Sequence, residues 1–125
     1  MIILLRTVNN MEKSFSSKLI RYFIWSENQQ IWDEIFYGPV NVLKQNYKSI
    51  FEEKDRFGYL AVDMRPNGEF VFFTEDQDGN RMKTFALRFD DMAAALTFKN
   101  RLKVATLEQA NDRTTARITY NRFLD

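Results

Sequence analysis

The chain contains neither cysteine nor histidine. Without cysteine there is no disulfide framework, no thiolate metal site and no cysteine nucleophile. Without histidine, the Ser-His-Asp and Cys-His arrangements and imidazole acid–base chemistry near neutral pH are excluded, and zinc sites of the usual types go with them. Turn-forming residues are scarce too: four Gly and two Pro in 125 residues leave most of the chain to regular elements. Charge of one sign is missing, since 18 basic against 17 acidic side chains give a net +1, which creates no global field toward nucleic acid or anionic membranes. Long apolar runs are absent as well. The opening MIILLR offers only five apolar residues before Arg6, too few for a signal-peptide core or a membrane span. No Asn-x-Ser/Thr sequon occurs, so a cytoplasmic setting without membrane association is expected.

What is present is aromatic. Twelve Phe, five Tyr and two Trp call for a core of large rings, and the chain length suits one domain, residues 1–125. Charge is uneven along the chain: residues 52–91 carry ten acidic and six basic side chains, whereas residues 92–125 carry three and six. Differences of this size are the signature of a solvated surface.

Residues 2–8, IILLRTV, read as a strand. Met11, Phe15, Leu19, Tyr22 and Phe23 recur at helical spacing behind Asn10 and predict a helix over 11–24, although LIRYFIW from Leu19 also suits a buried strand. Ser26 and Gln29 match a capping box ahead of Ile31, Trp32, Ile35 and Phe36, which predicts a second helix ending at Gly38. Pro39 then opens a third helix running to about Lys54. The period changes after Gly58. YLAVDM, RPNGE and EFVFFTE form a β-hairpin with Asn67-Gly68 suited to positive φ, and RMKTFALRF continues it as a three-strand meander. Asp90 caps an Ala-rich helix, DMAAALTFKNRL, and TTARITYNRF closes the chain as a half-buried strand. The expected fold is α+β, an antiparallel meander sheet with helices packed mainly on one face.

DQDGN, residues 76–80, is the nearest approach to a metal motif. Counted as an EF-hand loop it supplies Asp76, Asp78 and Asn80, but position six is Arg81 and position twelve is Leu87, so a turn hinged on Gly79 is the better reading. Carboxylate chemistry needs only paired acids, for which Asp63, Glu75, Asp76, Asp78, Asp90 and Asp91 are candidates, but turns and helix caps account for most of them. No cofactor is expected, and Ser14, Ser16 and Ser17 have no imidazole to activate them.

Two binding classes remain. The leading one is a protein-binding surface with Trp25, Trp32, Tyr59 and Phe73 as anchors and Arg88 as a polar contact, because interfaces favour aromatic residues and Arg. The alternative is nucleic-acid binding on an open sheet face, with Tyr59 and Phe73 stacking bases beside Arg88 and Arg117. Homo-oligomerisation is left open.

The segment FALRFDDMAAALTFKNRL resembles a strand-to-helix pattern of small tailed-bacteriophage proteins: an aromatic strand, an acidic turn, then an Ala-rich helix ending Phe98-Lys99-Asn100-Arg101. The resemblance covers about 18 residues. It implies a phage source and a host or virion protein as partner, and it carries over no site residue.

Overall fold

The computed structural model describes residues 15–47, 60–75, 78, 80–102, 104–110 and 113–118. Within them lie β1 (Leu19–Ser26), β2 (Ile31–Pro39), α1 (Val40–Asn46), β3 (Leu60–Met64), β4 (Glu69–Glu75), β5 (Arg81–Phe89), α2 (Met92–Arg101), β6 (Val104–Ala110) and β7 (Arg113–Ile118). The strands form one seven-stranded sheet in the order β2-β1-β5-β4-β3-β7-β6. Every pairing is antiparallel. The fold is α+β, as expected, with the β3-β4-β5 meander at its centre.

The meander follows from period-two alternation and one tight turn. Gly68 adopts φ +78°, the left-handed conformation that costs glycine nothing, and Arg65 N–H donates to the Glu69 carbonyl across the turn at 2.9 Å. On one face Val62, Phe70, Phe72, Phe85, Leu87 and Phe89 line up with Ile20 and Tyr22 of β1. Both helices lie on that face. Ala94 and Ala95 let α2 come close, and its Phe98 sits 4.7 Å from the Phe70 ring and 5.3 Å from Phe89. Val40 and Leu43 of α1 join the same core. Stacking of Phe72 on Phe85, 4.9 Å between centroids, completes it.

Several expectations are corrected. In the described part of the predicted helix over 11–24, residues 15–17 are helical and Leu19 onward is β1, because LIRYFIW pairs with β2 on one side and β5 on the other, and two ladders outweigh the helical spacing there. The predicted second helix is β2. Ser26 does accept from Gln29 N–H at 3.4 Å, as a cap would, and Gln30 N–H donates to the Ser26 carbonyl at 2.8 Å. Gln30 then takes φ 57° and the turn closes a hairpin instead of opening a helix.

Pro39 ends β2 in an extended conformation and precedes α1 rather than opening it. Asp91, not Asp90, caps α2, accepting from Ala93 N–H at 2.8 Å. Strand β6 carries no strand signal in the sequence, since VATLEQA is rich in helix formers. It becomes a strand as the hairpin partner of β7, which extends the sheet from β3 as expected of TTARITYNRF. The predicted strand over 2–8, the continuation of the third helix beyond Tyr47 and most of the DQDGN turn fall outside the described residues.

Candidate functional site on the β1–β2 hairpin

Side chains of a strand alternate between faces, and in β1 Arg21, Phe23 and Trp25 share the face opposite the helices. Their cross-strand partners on β2 are Tyr37, Glu34 and Trp32. Positions 32 and 37 are an odd number apart and would lie on opposite faces of a regular strand. A β-bulge between Tyr22 and Phe23 of β1 lets β2 carry one additional residue, Ile35, and brings Trp32, Glu34 and Tyr37 to the same side. On the other flank, Arg88 of β5 stands opposite Arg21. The result is an aromatic and arginine face across β2, β1 and β5.

The contacts within it are specific. The Trp25 and Trp32 rings meet edge to face at 5.3 Å, and Trp25 Nε1 donates to Glu27 Oε1 at 3.0 Å. The Arg21 guanidinium lies 3.7 Å from the Tyr37 ring centroid and donates to Glu34 Oε1 at 2.7 Å. Its Nε is shielded from water without a direct hydrogen bond and stands 3.6 Å from Asp90 Oδ1. The Tyr37 hydroxyl donates to Asp90. The bond to Glu34 raises the Arg21 pKa, so the guanidinium stays charged. The bond to Asp90 pushes the Tyr37 phenol up, because ionisation would break it and set two anions together. Arg88 stands 5.5 Å over the Phe23 ring.

Of the residues singled out from sequence, the fold therefore gathers Trp25, Trp32 and Arg88. Phe73 shares their face but is only 1% exposed, so it is not a surface anchor. Its strand is the fourth of seven, and the uninterrupted run Phe70-Val71-Phe72-Phe73 is buried on both sides. The open platform that the nucleic-acid alternative requires is closed at Phe73, which removes it as a base-stacking ring. Arg117 lies on β7, distant in the sheet order, and donates to Glu108 Oε1 at 2.7 Å. Tyr59 lies outside the described residues. Arg21, Phe23, Glu34 and Tyr37 carry no motif in the sequence, and Asp90, a candidate there for carboxylate chemistry, joins this face instead through Tyr37 and Arg21. The signal that could have found Arg21 and Phe23 is their alternation with Trp25 within LIRYFIW.

Of the remaining carboxylate candidates, Asp63 and Asp91 have structural places, while Asp76 and the Glu75 side chain fall outside the described residues. Asp63 is buried on the face opposite the helices and accepts from the Thr115 hydroxyl at 2.7 Å. Asp91 caps α2 and pairs with Lys18 at 2.7 Å; that ammonium and the Ala93 N–H hold its carboxyl below the usual carboxylate value. Asp78 is exposed. Among the described residues no group of three or more acidic side chains converges to hold a metal ion. No described helix is long and apolar enough to cross a membrane. Chemically, the hairpin face can offer aromatic surface and arginine and carboxylate hydrogen bonding.

Comparison with protein-family models, with curated proteins and with solved structures found no match.

Proposed function

We propose that this protein is a non-enzymatic protein-binding module that occupies its partner through the β1–β2 hairpin, with Trp25 and Trp32 as anchors and Arg88 as a flanking polar contact. One observation carries the reading. Of the nine large apolar side chains exposed among the described residues, six belong to this hairpin: Leu19, Ile24, Ile31, Trp32, Ile35 and Tyr37. Scattered exposed apolar residues need no explanation, but a concentration of them on one hairpin at the edge of the sheet marks an interaction site. The two indoles, already packed on each other, lose little rotamer freedom on binding.

Protein is a better occupant than nucleic acid. Around the indoles Glu27 accepts from Trp25, and Arg21 is engaged by Glu34 and Asp90, whereas a phosphate backbone needs free cations. The phage-like pattern at residues 85–102 points to a host or virion protein as the partner and to steric occupation as the mode.

Affinity capture from bacterial lysate with quantitative mass spectrometry tests this. The wild-type chain is expected to retain a stoichiometric protein that the Trp25→Ala/Trp32→Ala variant loses and a Leu107→Ser variant keeps. Recovery of no stoichiometric partner, or equal recovery by all three, refutes the reading.

A further inference from the structure

Resting on that protein-binding reading, we infer that the partner is taken up by strand addition at the β2 edge, and that the added segment is an extended one in which basic and apolar residues alternate. β2 is the terminal strand of the sheet, so one row of its backbone N–H and C=O groups has no strand partner among the described residues. A free row of this kind is a template for another strand. Edge strands are protected by charges, lysine above all, by proline, by bulges or by brevity; β2 has nine residues, no lysine and its one proline at the end, Pro39, so its protection is limited to Asp33, Glu34 and the bulge at Ile35. Its first five residues, Ile31–Ile35, are all exposed. The bulge at Ile35 turns the strand, which confines the flat stretch to Ile31–Glu34 and makes the contact a short one.

Charge selects the occupant. Between Arg21 and Lys44 the sequence has no basic residue and three acidic ones, Glu27, Asp33 and Glu34, in a chain whose net charge is +1. Glu34 is held by Arg21, while Asp33 is exposed. Register fixes the pattern further. Trp32 pairs with Trp25 and faces away from the helices, whereas Asp33 pairs with Ile24 on the opposite face. An added strand therefore sets an apolar side chain beside Trp32 and, one residue on, a Lys or Arg beside Asp33. A second copy of this chain fits poorly, because antiparallel pairing of Ile31–Ile35 with itself sets Asp33 against Asp33. The other edge, β6, lacks this character, since its Glu108 is already paired with Arg117.

The test titrates the intact ¹⁵N-labelled chain with a short synthetic peptide alternating Lys and Val, followed by amide chemical shifts. Shifts are expected to concentrate at Ile31–Glu34. N-methylating alternate peptide amides, which leaves the protein untouched, should weaken binding by about tenfold for each hydrogen bond removed. The Asp33→Lys variant should weaken it by up to about fivefold, and a Glu/Val peptide should not bind. Equal binding of the Glu/Val peptide overturns the basic selection. Insensitivity to N-methylation, with shifts at Phe23, Trp25 and Arg88, overturns strand addition and leaves side-chain docking on the hairpin face intact. Absence of shifts at millimolar Lys/Val peptide overturns the inference, while the lysate capture decides the broader reading independently.

Discussion

β2 and β4 are made of similar material and meet opposite fates. IWDEIFYGP and EFVFFTE are both aromatic-rich strands, yet residues Ile31–Ile35 of β2 are all exposed, whereas Phe70–Phe73 of β4 are all buried. The difference is position. β4 has β3 and β5 on its flanks and α2 over one face, with Phe98 closing on Phe70 and Phe72. Among the described residues β2 has one neighbouring strand, and α1 meets it toward its far end, where Phe36 packs against Tyr47. Aromatic residues in the middle of the sheet hold the fold together; the same residue types at its edge are available to something else.

Substitutions should separate the two roles. The largest effect is expected from Phe72→Ala, which removes a fully buried ring stacked on Phe85 and should cost about 3–5 kcal/mol of stability in urea denaturation. Trp32→Ala, at 37% exposure with one edge-to-face contact, should cost no more than about 1.5 kcal/mol and act on partner capture instead. A loss of stability at Trp32 as large as at Phe72 would erase the distinction between scaffold and binding strand.

Asp63→Ala tests whether the second face of the sheet centre belongs to the scaffold. It breaks a buried hydrogen bond to Thr115 and should cost about 1–3 kcal/mol by the same assay. Gly68→Ala probes the turn that joins β3 to β4. At φ +78° an L side chain is strained, and the added Cβ meets Met92 Sδ at 3.2 Å; that flexible side chain gives way, so the backbone term of about 1 kcal/mol decides the outcome.

The smallest expected effect is at Asp91, and it depends on pH. Its folded pKa is depressed below the ordinary 3.8, by Lys18 first and the Ala93 N–H second. A depressed acid contributes its full stability above the unfolded value and loses it as pH falls through the folded one. Asp91→Ala should therefore lower the denaturation midpoint at neutral pH, and the gap from wild type should close on acidification below 3.8. A gap that widens in acid would contradict this linkage.

The same comparison explains what could be read from the sequence. The meander and α2 were legible because local signals agree with the final contacts: alternation in YLAVDM and RMKTFALRF, glycine where φ must be positive, and Ala where a helix must approach. β2 was not legible, and the cause is the bulge. The additional residue at Ile35 breaks strict alternation, and Ile31, Trp32, Ile35 and Phe36 then fall at the spacing of a helix stripe. Ser26 and Gln29 reinforced the error by making the hydrogen bond of a helix cap inside a hairpin turn.

The site suffered from the same ambiguity. With β1 read as a helix, Arg21, Phe23 and Trp25 pointed in different directions; as a strand they form one row facing Tyr37, Glu34 and Trp32. Burial of Phe73 had a sequence signal that alternation masked. FVFF is an uninterrupted apolar run, the mark of a strand covered on both faces rather than one.

Amide hydrogen exchange of the captured complex tests the division between scaffold and binding edge most directly. Bound partner should slow exchange at Ile31–Glu34 of β2 and leave the meander amides, already held between β3, β4 and β5, unchanged. Protection confined instead to α2, around exposed Met92 and Leu96, with β2 exchanging as freely as before, would contradict the account.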